Sequence, residues 1–322
     1  MVASFETTII SIIIMIFLGY LLRRFNLVKT TDINSLNNIA INLTLPCLAF
    51  ASVYSADLSH LSHLAILPFV NVFTTAIVGT LVYYFCKFKG YSKKITWTVI
   101  LVTVTGNTAF VGYPVCFGVF GQTGLVTGIF SDMGSLIIYL LLSIILTMVL
   151  GGSAKSSFKK VLSFPLLWAV LLGLIFNIFT VPIGDVLSNV VGYMGDATIP
   201  LIMISLGVSL NFKGIKDNLN FAGLGFFTKL IFYPIVALGI ITLIGLKGLE
   251  MNIALIQAAM PSGMIVLTLI TEHELDLNIA SVIIFTTTIL SLLTLSGILF
   301  LLWWRDYLWR LDFQHCLYLW SR

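Results

Sequence analysis

The polar residues of this chain that could do chemistry are few, and they sit inside apolar stretches of helix length. The string Thr105-Gly106-Asn107-Thr108-Ala109-Phe110-Val111-Gly112-Tyr113-Pro114 sets two glycines, an asparagine and a proline in one such stretch. A second string, Gln257-Ala258-Ala259-Met260-Pro261-Ser262-Gly263-Met264, interrupts another. Proline removes a backbone donor and clashes with the preceding turn, so each string predicts a helix unwound partway along its length. Unwound backbone exposes N–H and C=O groups, and half-helix N-termini aimed at a break favour negative charge. The chemistry this suits is capture of an anion without a permanent buried cation. The candidate ligand contacts are therefore Gly106, Asn107, Thr108, Gln257 and Ser262. Asn107 leads, because its amide can donate to a carboxylate while its carbonyl serves freed backbone; the competing reading is local capping of the unwound segment. Pro114 and Pro261 read as shaping the site rather than touching a ligand.

Asp132, in Phe130-Ser131-Asp132-Met133-Gly134-Ser135, is a carboxylate followed by long apolar runs. An ionised acid at membrane depth is costly unless paired, hydrated or protonated. It reads as a coupling site for H⁺ or Na⁺, or as part of a polar cavity. The alternative is a structural carboxylate held by neighbouring hydroxyls and backbone donors. Lys229 lies two to three turns into another apolar stretch, 220–246, whose fully apolar run begins only at Leu230, and reads as snorkelling to the cytoplasmic interface, with an anion contact or a partnership with Asp132 as the alternative.

The elements that would position these residues follow from composition. Of 322 residues, 59% are hydrophobic and 9% charged, and mean hydropathy is +1.07. Soluble domains carry roughly a quarter charged residues, so this is a polytopic membrane protein. A bilayer span takes about 20 apolar residues. The apolar blocks divide into ten, at 5–22, 36–54, 64–86, 95–119, 124–150, 164–183, 187–210, 220–246, 251–271 and 277–302. The expected fold class is an all-α integral membrane protein in which the fourth and ninth helices are broken.

A motif recurs. Asn42-Leu43-Thr44-Leu45-Pro46-Cys47-Leu48 and Asp196-Ala197-Thr198-Ile199-Pro200-Leu201-Ile202 share Asn/Asp-x-Thr-Leu/Ile-Pro-x-Leu/Ile at a constant offset of 154 residues. Five is an odd number of spans, so a second copy must enter from the opposite face, and the ten spans read as two inverted five-helix repeats. The domains are then 1–150 as the first repeat, 151–163 as a basic connector, 164–302 as the second repeat and 303–322 as a tail of no assigned role. Asn42 and Asp196, at matching positions beside Pro46 and Pro200, are candidates to line the cavity.

Lys and Arg alternate between connections: Arg23, Arg24 and Lys29; then Lys87, Lys89, Lys93 and Lys94; then Lys155, Lys159 and Lys160; then Lys213 and Lys216. By the positive-inside rule the odd connections are cytoplasmic and both termini face outward. The expected location is the plasma (inner) membrane. The acidic ninth connection and Arg305 and Arg310 in the tail fit this rule poorly. The four cysteines lack metal or redox spacing, and no disulfide is expected. The N-terminus lacks a basic region and a small-residue cleavage site, so the first block reads as a retained helix. The net charge of +4 is spread over connections, which argues against a nucleic-acid partner.

The string from Gly106-Asn107-Thr108 to Gly112-Tyr113-Pro114 resembles the fourth-helix signature of the auxin efflux carrier family, which includes plant PIN carriers and bacterial permeases for malate and malonate. The similarity extends to Leu45-Pro46, Ile199-Pro200-Leu201 with Leu206-Gly207, Ala258-Ala259-Met260-Pro261 and Thr286-Thr287-Thr288, and covers about residues 5–302. The resemblance implies a ten-helix, 5+5 inverted-repeat fold similar to that of bile-acid symporters, with the fourth and ninth helices crossing at their breaks. It further implies a scaffold of the first, second, sixth and seventh helices that can form a homodimer, a moving transport unit made of the rest, and a substrate contact at Asn107.

The leading expectation is a secondary transporter of a small organic anion, in particular a carboxylate, working by alternating access with H⁺ or Na⁺ as a possible coupling ion and no cofactor. An uncoupled facilitator or channel-like uniporter on the same fold is the alternative. An intramembrane enzyme would need a nucleophile and base that are not found, and the chain lacks a Walker loop, a Gly-x-Ser-x-Gly elbow and paired catalytic acids. The histidines lack zinc-helix spacing, so no metal is expected. Besides the anion, the expected partners are membrane lipid and a second copy of the chain.

Overall fold

The computed structural model describes residues 5–59, 61–150, 159, 162–209 and 218–320, of which 306–320 enter only as helical backbone. From the N-terminus run α1 (Phe5–Arg24), α2 (Ile33–Tyr54), α3 (Leu61–Phe88) and α4 (Lys93–Val104). A π-helical turn, Thr108–Gly112, leads into α5 (Tyr113–Leu150), followed by α6 (Pro165–Ile178), α7 (Asp185–Ser209) and α8 (Leu219–Leu243). Then come α9 (Gly248–Ala258), α10 (Val266–Glu272) and α11 (Leu277–Trp320). Among the described residues there is no strand, only an isolated antiparallel bridge between Gly106 and Ser262.

Among the described residues, seven stretches are long and apolar enough to cross a membrane: α1, α2, α3, Thr108–Leu150, α7, α8 and Leu277–Arg305. The sequence led to ten, and the difference has local causes. The fourth and ninth predicted spans are each cut by non-helical backbone, leaving α4 with 12 residues and α9 with 11. Pro165 starts α6, which holds only 14 residues. The second half of the fourth predicted span is joined to the fifth through Gly121, whose φ of 65° and ψ of −154° turn the chain without a connecting loop; only glycine adopts such angles freely. The last predicted span was expected to stop at 302, yet α11 continues as one helix to Trp320.

The helices expose apolar side chains outward, as lipid allows and water does not. On α3, Phe69, Phe73, Ile77 and Leu81 are exposed at a spacing of four, while Val70, Thr74, Val78, Val82 and Cys86 are buried at the same spacing a step around the helix. One core cluster gathers α3, α4, α5 and α8, and a second gathers α1, α7, α9 and part of α5. Cys47, Cys86 and Cys116 are free thiols.

The helices α1 and α7 approach closely because both carry glycine at the contact. A Cβ on Gly19 would lie 2.2 Å from the Ile204 carbonyl oxygen, and one on Gly207 would lie 2.0 Å from that of Ile16. Small residues at such crossings let backbones pack where no hydrophobic effect drives helices together. Gly207→Val will therefore lower thermal stability by about 1–3 kcal/mol or more through overpacking. Gly239→Val, where a Cβ meets nothing within 4 Å, is the control in a melting experiment on the purified protein; equal melting temperatures would contradict this account.

Connections meet in a regular way. Arg23 donates to the Val208 carbonyl (3.1 Å), Lys93 to that of Val149 (2.6 Å), and the Asp276 N–H to Thr98 Oγ1 (3.0 Å). Elsewhere Tyr54 donates to the Val181 carbonyl (3.1 Å), Asn177 Nδ2 to the carbonyls of Val53, Tyr54 and Ala56 (2.7 to 3.1 Å), and His63 lies 4.0 Å from Glu250. Lys155 and Lys160 of the basic connector, Lys213 and Lys216, and His60 lie outside the described residues, as do the side chains of Arg310, His315 and Cys316.

Candidate functional site

Both predicted breaks form. The helix α4 stops where Thr103 and Thr105 turn their hydroxyls back onto the carbonyls of Val99 and Leu101 (2.7 and 2.6 Å), and Gly106 follows. Thr105 is extended (φ −90°, ψ 132°) and Asn107 sits at φ −85°, ψ 57°. In the other string Pro261 has no N–H to continue α9. The two unwound segments then lie antiparallel: Asn107 N–H donates to the Pro261 carbonyl (2.7 Å) and Gly263 N–H to that of Thr105 (3.1 Å). This changes one expectation, because part of the freed backbone is satisfied by the opposite break rather than left bare. The contact needs glycine, since a Cβ on Gly263 would fall 2.7 Å from the Gly106 carbonyl oxygen.

Around this crossover several buried polar atoms lack a hydrogen-bond partner among the described residues: Asn107 Nδ2, Ser262 Oγ, Gln257 Oε1 and Thr286 Oγ1. Asn107 is 7% exposed, Gln257 2% and Ser262 0%. The Ser262 N–H donates to Thr287 Oγ1 (3.2 Å), and Gln257 Nε2 to the Gly128 carbonyl (3.2 Å). Gln257 fits against Gly112, where a Cβ would lie 2.3 Å from Oε1. Unpaired polar atoms in such a place are costly, which marks them as sites that a ligand could satisfy.

Asp132 is buried beside the same break. Thr108 Oγ1 donates to its Oδ1, and Tyr113 OH to its Oδ2 at 2.8 Å. The structure thus brings together Gly106, Asn107, Thr108, Gln257, Ser262, Pro261 and Asp132. It puts others elsewhere. Asp196, Pro114 and Pro200 line a separate cavity of about 800 Å³ together with Thr7, Thr8 and Ser11 of α1. Asn42 is exposed and donates to the Asn38 carbonyl (3.0 Å). Pro46 lies in α2 just after a π-helical turn, Ala40–Thr44. The residue just before the second repeated string, Gly195, stands against the backbone of Cys47 and Leu48 in the first.

Lys229 corrects the sequence reading. It does not snorkel: it is 1% exposed, with its Nζ over the Tyr233 ring, 3.8 Å from the centroid. A seven-residue π-helical segment, Phe226–Phe232, turns it inward, and no apolar periodicity reveals such a turn. Sequence reasoning also missed Tyr113 as a donor to Asp132, and Asn71, Ser135 and Tyr233, which join the same polar network. The one signal in the sequence was the spacing of Lys229 and Tyr233, four residues apart, which stacks side chains on a helix.

Residues 4–299 match a family described as "Membrane transport protein". An uncharacterized transporter of Methanothermobacter thermautotrophicus is 36% identical over 288 residues, 89% of this chain and 95% of the relative. An uncharacterized transporter of Methanocaldococcus jannaschii is 34% identical over 295 residues, 89% of this chain and 96% of the relative. Auxin efflux carrier component 6 of Arabidopsis thaliana is 26% identical over 140 residues, 42% of this chain and 25% of that protein. With seven apolar helices long enough to cross a bilayer among the described residues and a family match over nearly its whole length, this chain is a multi-pass membrane protein of the membrane transport protein family, to which auxin efflux carriers belong.

Proposed function

We propose that the chain is a secondary carrier for a small organic anion, working by alternating access at the crossover of α4–α5 and α9–α10. The observation that carries this reading is the pairing of two broken helices around buried, unpartnered Asn107 Nδ2 and Ser262 Oγ. An amide N–H and a hydroxyl converging at a break can take the oxygens of a carboxylate in a setting with little water. Asp132, hydrogen-bonded to Thr108 next to Asn107, is the coupling residue for H⁺ or Na⁺.

Ten crossings in two inverted repeats give the fold this mechanism uses. Shifting α4 (Lys93–Val104) by the 154-residue offset of the repeated strings brings it within a residue of α9 (Gly248–Ala258) at both ends. The end contacts support the same count, because the connections that meet, such as those of Arg23 and Val208 or of Tyr54 and Val181, are always both odd or both even in the ten-span order. The cavity at Asp196 serves as a vestibule. The plasma membrane, outward termini and a homodimer complete the proposal.

Counterflow tests it. Proteoliposomes preloaded with an unlabelled carboxylate will take up the labelled compound faster than empty ones, and Asn107→Ala will bind the carboxylate roughly tenfold or more weakly for the loss of a hydrogen bond to a charged group. Uptake indifferent to preloading would instead indicate a channel, and full affinity in Asn107→Ala would remove the crossover from the binding site.

A further inference from the structure

Lys229 has no role in the reading above, and its surroundings are unusual. Its side chain is sealed from solvent, yet among the described residues its Nζ has no carboxylate partner. On one side lies the Tyr233 ring at 3.8 Å, a favourable cation–π contact. On another lies Gly106, the residue before Asn107: a Cβ built there would come 3.4 Å from Nζ. The lysine head thus borders the crossover at Gly106, which presents no side chain to it.

Lys229 is also joined to Asp132 without touching it. Tyr233 OH shares a proton with Thr75 Oγ1 (2.7 Å) or donates to Asn71 Oδ1 (2.9 Å). Asn71 Nδ2 donates to Ser135 Oγ (3.2 Å), Ser135 contacts Thr108 Oγ1 (3.2 Å), and Thr108 donates to Asp132. Both Asp132 oxygens already accept hydroxyl protons. Asp132 is therefore held by its own donors and does not neutralise Lys229 by direct contact.

We infer that Lys229 is the counter-charge of the transported anion, and that it sets the site to accept a single carboxylate. This rests on the crossover being the binding site. A buried lysine is costly when charged and alone, and an anion seated against Gly106 removes that cost. Asn107 Nδ2 and Ser262 Oγ supply hydrogen bonds, whereas Lys229 supplies the discrimination between an acid and its neutral isostere. Among the described residues a dicarboxylate finds no second cation here, and the other charged group on this chain of contacts, Asp132, has the same sign as the ligand. The π-helical segment that carries Lys229 is the kind of helix irregularity found at functional sites.

The test is ligand binding to the purified full-length protein, read by thermal shift and by calorimetry. The probes are monocarboxylates from acetate to phenylacetate, their primary amides, and the dicarboxylates malonate and malate. The wild type will prefer a monocarboxylate over its amide, and over the dicarboxylates, by at least about tenfold. Lys229→Gln and Lys229→Met, each checked for unchanged elution and helical content, will lose that acid-over-amide preference, and Lys229→Arg will keep most of it. A preference unchanged in Lys229→Gln or Lys229→Met overturns the inference, as does tighter binding of malonate or malate by the wild type. Asn107→Ala separates the two readings, because it removes a hydrogen bond but leaves Lys229 in place: binding of the acid will weaken while a preference for the acid over its amide remains. If Asn107→Ala weakens binding while the lysine variants keep the ratio, the crossover site stands and the role of Lys229 falls. If no carboxylate binds the folded wild type, both fall.

Discussion

Asp132→Asn protein in liposomes will exchange substrate across the membrane but will no longer accumulate it when an ion gradient is imposed. The carboxylate is buried and accepts protons from Thr108 Oγ1 and Tyr113 OH. Thr108 also belongs to the π-helical turn that follows Asn107, so a change at Asp132 reaches the break through one hydrogen bond. Replacing the carboxylate by an amide keeps its shape and one acceptor, but puts an NH₂ against a hydroxyl that was donating. Mismatched buried hydrogen bonds cost about 1–3 kcal/mol, which lowers stability without unfolding a helix bundle of this size. The amide also cannot take up or release a proton, and it carries no charge for Na⁺. The wild type should respond to an imposed proton gradient or Na⁺ gradient, the variant to neither, while counterflow persists in both. An undiminished gradient response in the variant would move coupling away from Asp132.

Gly263→Val will abolish binding rather than weaken it. The backbone pair formed by Asn107 with Pro261 and by Gly263 with Thr105 is what holds the two breaks together. A side chain on Gly263 would begin 2.7 Å from the Gly106 carbonyl oxygen and 3.6 Å from the Asn107 nitrogen. The neighbour is backbone and cannot rotate aside, so the segments must separate. Two backbone hydrogen bonds are lost, each worth about 0.5–1.5 kcal/mol net, together with overpacking strain of about 1–3 kcal/mol. Binding of any carboxylate should vanish and the melting temperature should fall. Gly223→Val, whose Cβ would meet nothing within 4 Å, should leave both unchanged. Normal binding by Gly263→Val would mean that the ligand does not depend on the crossover.

These two residues illustrate how unevenly the site could be read in advance. Pro261 and Gly106 announced breaks because a missing N–H and a missing Cβ act on the local chain whatever surrounds it. Asp132 stood out because a carboxylate in an apolar run is costly anywhere. Lys229 was misread, since burial depends on where a π-helical segment turns the side chain and on what packs around it. By sequence Asn107 and Asp196 are both candidates for the substrate site, yet Asp196 lines the cavity against α1 while Asn107 sits in the crossover. Nothing in the spacing of one chain separates two polar residues at similar depth on different helices.

What the sequence determined by itself was local and compositional: a membrane protein, helices throughout, two interruptions and a repeated proline string. Each follows from properties a residue carries with it, such as hydropathy, a fixed φ or a lost donor. Only the tertiary structure decided that the interruptions pair with each other, that Gly121 bends one long helix back without a loop, and that Lys229 and Asp132 end one chain of contacts without meeting. Those outcomes depend on which helix packs against which, and on backbones approaching closely enough for glycine alone to fit. Such distances are set by the sum of many contacts across the chain, and no single segment contains them.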